Sequence, residues 1–333
     1  MMFRRTAAVV ALLTLAAAAP ASAVQVSAEA PAVRAGAWPG TISGQTADRY
    51  PEGVTWDPSR QAFLVGSIAT GRVDVVDRHG RSKQLVGAAP GISTFGLHVD
   101  VARNRFLVTY ADIGSGERSS DATAGKQSGV AIYNLRTGHL EHRVDLNTPA
   151  LNPAGGKHGA NDLAVDGRGN AYVTDPAGDA IYRITPGGKA SVLVRDARLA
   201  SPTIGMNGIV WDPAGYLLAV RYDTGLLLRI SPTGAISEVK LPKALVGGDG
   251  LALTADRKLV AVTNKLGAPG VEEVTVLRST DNYRSARVVV AKAWPVGGPT
   301  TVALSPHGMY VLSGRLDVLL AGGQSDEFDL HRF

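Results

Sequence analysis

The chain has 333 residues, with 34 Lys and Arg against 29 Asp and Glu, and no cysteine. A small net charge without a concentrated basic face argues against nucleic-acid binding, and the missing thiols exclude disulfides, thiolate zinc sites, iron–sulfur clusters and a cysteine nucleophile. With 45% hydrophobic and 19% charged residues, the chain can offset its conformational entropy in a large core, so wholesale disorder is excluded too.

Residues 1–23 carry Arg4 and Arg5, then an apolar run over 7–19, then Pro20 and the small-residue site Ala21-Ser22-Ala23. That layout predicts a secretory signal peptide, and the apolar run is shorter than the roughly 20 residues a membrane-spanning helix needs. Cleavage leaves about 310 residues, and loss of Arg4 and Arg5 lowers the net charge from +5 to +3. The expected product is a secreted or cell-envelope protein, monomeric and without a membrane span; the Arg pair leaves both the general and the twin-arginine export routes open. Residues 24–50, rich in Ala, Gly and Pro, read as a lead-in.

From residue 51 to 333 the chain repeats itself. The copies are PEGVTWDPSRQAFLVGS from Pro51, FGLHVDVARNRFLVTY from Phe95, NDLAVDGRGNAYVTD from Asn161, NGIVWDPAGYLLAVR from Asn207, DGLALTADRKLVAVT from Asp249 and TTVALSPHGMYVLSG from Thr300. Equivalent marks lie 43, 66, 46, 42 and 51 residues apart. Each copy continues through further short strands rich in Val, Ile, Leu and Tyr, broken by Gly, Pro, Asp and Asn, which is hairpin rather than helix patterning. Four antiparallel strands in about 50 residues make one propeller blade. The prediction is an all-β, six-bladed β-propeller in one domain, with the lead-in around residues 38–42 adding the outer strand of the last blade. No 3.6-residue period persists long enough for a helical solenoid. Trp56-Asp57 and Trp211-Asp212 end first strands, where the dipeptide of WD repeats does not belong; Trp56 and Trp211, with Val99, Val165, Leu253 and Leu304, are expected to pack between blades.

Aligning the copies puts Glu52, Phe95, Asn161, Asn207, Asp249 and Thr300 at one equivalent place, the head of each innermost strand, around one mouth of the central channel. Glu52 and Asp249 offer carboxylates, and Asn161 and Asn207 offer amide carbonyls. An all-oxygen set suits a hard cation, calcium first, with magnesium or manganese compatible with the ligand type and zinc normally calling for imidazole or thiolate. Turn chemistry is the competing explanation for Asn207-Gly208 and Asp249-Gly250; it suits Glu52 poorly.

The segments PEGVTWDP, ANDLAVDGRGNAYVTD, MNGIVWDPAG and GDGLALTADRKLVAV resemble those of the gluconolactonase and regucalcin family, which also holds senescence marker protein and luciferin-regenerating enzyme. That family is similar in fold and metal site to diisopropylfluorophosphatase and paraoxonase, the calcium-dependent phosphotriesterase-like superfamily. The resemblance spans residues 50–333 and implies a propeller with a divalent metal, usually calcium, on Glu52, Asn161, Asn207 and Asp249, and hydrolysis of lactones or related esters. Zinc, magnesium and manganese stay open as alternatives. Sugar-lactone members carry an Arg two residues before the Asn that is Asn161 here; this chain has Gly159, so a less polar lactone or ester is as plausible a substrate as gluconolactone.

The expected mechanism is metal-assisted ester hydrolysis, with Asp249 as first candidate for the proton acceptor and Asp162 as second. His98 on an inner strand, His158 in the loop entering Asn161 and Arg221 after a second strand are the candidate substrate-binding residues; Tyr110, Asp175, Tyr222, Lys265 and Arg315 occupy comparable rim positions. An inserted stretch over residues 111–129 is placed on the same rim, as a lid or as a disordered loop. There is no G-x-S-x-G elbow and no H-E-x-x-H motif. The competing function is a non-catalytic propeller, a binding platform with a structural calcium. A strictosidine-synthase-like propeller fits less well, because all four ligand positions are filled.

Overall fold

The turn that closes the first strand of a repeat shows why these residues form hairpins. In the computed structural model, which describes residues 37–45, 50–87 and 91–333, Asp57, Asp166 and Asp212 each accept a backbone N–H two residues on, from Ser59 (2.8 Å), Arg168 (2.9 Å) and Ala214 (2.8 Å). Such an Asx turn reverses the chain through a side-chain acceptor. Tyr172 and Tyr216 donate their hydroxyls to Asp166 and Asp212 at 3.1 and 3.0 Å. The Asp of each Trp-Asp pair is therefore a turn anchor.

Each repeat becomes a four-stranded antiparallel sheet, and six such sheets are present among the described residues. Blade 1 comprises Val54–Asp57, Ala62–Gly66, Val73–Val76 and Ser82–Val86. Blades 2 to 6 begin with the innermost strands Ser93–Asp100, Leu163–Val165, Met206–Asp212, Gly248–Leu253 and Pro299–Ser305. The outer strand of blade 6 comes from the lead-in: Thr41–Gln45 pairs antiparallel with Glu327–Arg332, with Ile42 opposite Leu330. This closes the ring with residues from both ends of the unit Trp38–Phe333. The expected signal segment, residues 1–23, and most of the lead-in lie outside the described residues.

Burial is greatest on the second strands and falls from there outward. The second strands AFLVG (Ala62–Gly66), RFLVTYA (Arg105–Ala111) and LVAVT (Leu259–Thr263) are buried at every position, whereas the outermost strand Arg287–Ala293 is exposed throughout. A strand covered on both faces needs no apolar–polar alternation, and here the covers are the neighbouring blades. Six hydrophobic clusters each join two adjacent blades, for example Leu107 and Ile132 of blade 2 with Val173 and Tyr182 of blade 3. Complete burial of one such side chain stabilises the fold by about 1.5–3 kcal/mol. Trp211 lies flat on Tyr172 of the preceding blade with ring centroids 5.6 Å apart, and Trp56 meets Trp38 edge-on at 5.2 Å. Both tryptophans therefore pack between blades. No helix among the described residues is long and apolar enough to cross a membrane.

Candidate functional site

Four of the six heads sit where the ladder of the innermost strand is irregular. Strand register slips between Met206 and Ile209, between Gly248 and Leu251, between Thr94 and Leu97, and between Pro299 and Thr301. Asn207, Asp249, Phe95 and Thr300 fall inside these slips. A bulge of this kind re-aims a side chain. The glycine that follows allows close approach of the next blade: a Cβ on Gly208 would lie 2.0 Å from the Asp249 carbonyl oxygen, and one on Gly53 1.9 Å from that of Phe95.

Threonines of neighbouring blades fix the heads further. Thr174 donates its hydroxyl to the Asn207 carbonyl at 2.6 Å, Thr300 to that of Glu52 at 2.7 Å, and Thr109 to that of Asn161. Blade 3 departs from the pattern, since Asp162 occupies the place held by glycine in blades 1, 2, 4 and 5. Its carboxylate accepts the N–H of Leu163 at 2.8 Å and of Ile209 at 3.0 Å.

Two cavities share this ring of heads. A cup of about 460 Å³ opens on the rim and is lined by Glu52, Asn161, Asn207, Asp249 and His158 together with apolar side chains such as Ile204, Leu266 and Leu316. A channel of about 330 Å³, to which Glu52, Asn207 and Asp249 also contribute, is lined by Asp162, His98, Trp56 and Trp211. The inserted stretch over 111–129 is a wall of the cup, contributing Ala111, Asp112, Ile113, Ala124 and Gly125. It is tied to both flanks: Arg118 donates to the Gly91 carbonyl at 2.6 Å, and Gly125 accepts the His158 N–H at 2.9 Å.

The electrostatics of the heads are unbalanced. Burial, then the charges of Asp249 and Asp162, hold the Glu52 carboxyl well above the usual carboxylate range. Asp249 is likewise raised, by burial first and by Asp162 next, against a 2.7 Å hydrogen bond from the Asn264 amide. Burial pushes Asp162 up to about 7. The Asn161 and Asn207 side chains counter part of that upward shift at Glu52 and Asp249, and Oδ1 of each is buried without a hydrogen-bond partner. Crowded carboxylates beside two orphaned amide oxygens form a donor set that a divalent cation would complete. Among the described residues, no three or more His, Asp or Glu side chains are grouped as a metal site; the candidate set depends on its two amides.

Two of the expected substrate-binding residues stand elsewhere. His98 lines the channel rather than the cup, because it sits three residues along the inner strand from its head. Arg221 is captured by Asp223, two residues on, through contacts of 2.7 and 2.9 Å, and is not among the residues lining the cup. Of the other rim positions, Tyr222 lines the cup, Asp175 is buried behind His158, Tyr110 is in the core, and Lys265 and Arg315 pair with Glu272 and Asp329. Asn264 is a site residue the repeat alignment passed over. It bonds Asp249, accepts the Tyr222 hydroxyl and is fully buried; its place directly after the second strand of blade 5, equivalent to Asp175 in blade 3, was the available signal.

A family model for the SMP-30/gluconolactonase/LRE-like region matches residues 50–224, which contain three of the four candidate ligands. The chain belongs to the SMP-30/gluconolactonase/LRE-like family. Solved structures carry the same fold at low identity. The major Malassezia sympodialis allergen Mala s 1 aligns over 89% of this chain and 96% of its own, with 19% identity and a TM-score of 0.70. A gluconolactonase from Xanthomonas campestris aligns over 86% and 87%, with 14% identity and a TM-score of 0.59. The aldose sugar dehydrogenase of Streptomyces coelicolor in its PQQ-bound form aligns over 88% and 98%, with 13% identity and a TM-score of 0.55. No curated protein sequence matches the chain. An allergen, a lactonase and a dehydrogenase on one scaffold show that function has to be argued from the cup.

Proposed function

We propose that this member of the SMP-30/gluconolactonase/LRE-like family is a metal-dependent hydrolase of a lactone or related ester with a largely apolar body. The observation that carries the reading is the floor of the cup, where Glu52, Asn161, Asn207 and Asp249 present oxygen atoms and two of these oxygens are buried and unpaired. Glu52, Asn161, Asn207 and Asp249 would hold the cation, calcium by the hardness of the set. Such a cation supplies polarisation of the ester carbonyl and a more acidic water.

The chain's own side chains do the rest. Asn264, locked by Tyr222 and by the Pro299 carbonyl at 2.8 Å, orients Asp249. Asp162 adds negative charge beneath the heads while its oxygens already accept two amide N–H groups, which argues against a role as proton acceptor. The walls select the substrate. Ile204, Leu266, Leu316 and Ile113 exclude water from the body of the ligand, and a Cβ on Gly159 would have only Ala111 Cβ nearby, at 3.8 Å. Where sugar-lactone relatives are expected to carry a cationic arm, this cup leaves space. With the signal peptide expected over residues 1–23, we propose that the enzyme acts outside the cytoplasm; N-terminal sequencing of protein recovered from the envelope or medium checks that.

The test is hydrolysis of a panel of alkyl-substituted lactones, gluconolactone and aryl esters by the purified protein, with chelator and with calcium, zinc, magnesium or manganese restored. The expected result is turnover that chelator abolishes and one cation restores, highest for the alkyl-substituted substrates. Cation binding without turnover of any panel member overturns the hydrolase reading in favour of a binding platform.

A further inference from the structure

Of the ionisable side chains that line the cup outside the ligand set, Asp112, Lys157, His158 and Tyr222, only His158 is an imidazole. His158 is 6% exposed, its Nδ1 lies 2.7 Å from Asp175 Oδ2, and its Nε2 is buried without a hydrogen-bond partner. Asp175 is fully buried and fixed in its turn, for Oδ1 accepts the backbone N–H groups of Gly159 at 3.0 Å and Ala177 at 3.1 Å. An ionised carboxylate is an acceptor only. Nδ1 of the neutral ring therefore carries the hydrogen and Nε2 keeps its lone pair, the arrangement in which a third group orients a base. His158 precedes Asn161 by three residues, so their Cα atoms are at most about 11 Å apart, and both line the same cup.

The alternatives are engaged elsewhere. Asp249 is bonded to Asn264 and belongs to the ligand set, Asp162 is committed to two amides on the channel side, and His98 faces the channel. We propose that His158, oriented by Asp175, is the proton-transfer residue of ester hydrolysis in this cup, an inference that rests on the lactonase reading above. Nε2 takes one proton from water as the water oxygen bonds to the acyl carbon. The same proton passes to the ring oxygen as the acyl C–O bond breaks, so lactone and water become one hydroxy acid and the imidazole is restored to its neutral form. The Asp175 hydrogen bond, outweighing burial, raises the His158 pKa above its ordinary value. Arg195, Asp179 and Lys157 around the adjoining side pocket, and Asp112 across the cup, are the other charged groups near the ring.

The experiment uses the full, cation-replete protein with H158Q and D175N, the best panel substrate, and nitrogen-15 spectra of histidine-labelled native protein. H158Q is expected to lower kcat by about 10²–10⁴-fold with KM changed by less than about threefold, and added imidazole to restore part of the rate. D175N is expected to lower kcat less and to move the acidic limb of kcat/KM to lower pH, since it removes the group that holds the imidazole up. The spectra are expected to show the Nδ1–H tautomer. Should kcat of H158Q stay within about threefold of native, the D175N limb stay in place, or His158 prove to be the Nε2–H tautomer, the dyad's role is overturned while lactone turnover by the native protein stands. Absence of turnover by the native protein across the panel overturns the lactonase reading and the dyad's role together. Thermal melting checks each variant's fold; where H158Q melts low, D175N and the native spectra decide.

Discussion

The cup and the channel meet at Glu52, Asn207 and Asp249, yet they differ in chemistry. Cup residues stand on bulges and loops: Asn207 and Asp249 inside register slips, His158 in the entry to blade 3, Ile113 in an inserted wall. Channel residues stand on regular strand and repeat every blade: Trp56, Val99, Val165, Trp211, Leu253 and Leu304. Where the ladder is regular, a side chain's direction is dictated by pleat and by the neighbouring blade. A one-residue bulge frees it, so chemistry collects at the irregular end of each strand.

The sharpest way to break that division is to exchange a carboxylate on each side of it. Asp249→Ala is expected to weaken cation affinity by more than about 100-fold, beyond what loss of an outer partner costs, and to take turnover below detection. Asp162→Asn removes the charge and leaves an amide oxygen for only one of the two N–H groups, those of Leu163 and Ile209, that the carboxylate accepts, so a loss on the order of 10-fold in cation affinity with a lower melting temperature is expected. Calcium titration calorimetry measures both. Equal losses would place Asp162 among the ligands and erase the distinction between cup and channel.

The bulges supply the next test. Gly208→Val pushes a side chain into the Asp249 carbonyl, so it should destabilise the protein by about 1–3 kcal/mol and weaken cation binding without touching a ligand side chain. Thermal unfolding with and without calcium reads both effects. A variant as stable as native would show that the approach of blades 4 and 5 is not tight.

How much of this was legible in the sequence follows from the same contrast. The blade count and the four oxygen-bearing heads are legible because they repeat, and Asp-Pro or Asp-Gly turns mark three of the repeats, at Asp57, Asp166 and Asp212, with a local mechanism. The bulges are visible only as Gly96, Gly208 and Gly250, which also suit a simple turn. Asn264 bonds Asp249, 15 residues away, and His158 bonds Asp175, 17 residues away; neither pairing leaves a local pattern. Arg221 looked available because rim position was all that could be read, and the competing acceptor, Asp223, prevails through proximity.

Cup specificity is a smaller effect. Leu316→Asn or Ile204→Asn exchanges an apolar wall for an amide that the body of an apolar substrate cannot pair, so KM for alkyl-substituted lactones should rise on the order of 10-fold with kcat within a few-fold. Gluconolactone serves as the control, and its KM should change less or fall. A uniform rise for both substrates would point to distortion of the cup instead.

The smallest expected effect separates the two histidines by sign. Burial, then the nearby Asp100 and Arg105 with opposing effects, leave His98 at about 4, well under its ordinary value near 6.5. In the interval between these values the unfolded chain binds the extra proton, so the stability contributed by neutral His98 is complete above pH 6.5 and is lost as pH falls toward 4. His158 is shifted the other way by Asp175, so its contribution is complete below pH 6.5 and is lost as pH rises through the folded value. Melting temperatures from pH 4 to 8 should therefore show H98Q flattening only the acid side and H158Q only the neutral side, each by on the order of a few degrees. Parallel curves for H98Q and native protein would mean that the channel admits enough water to solvate an imidazolium.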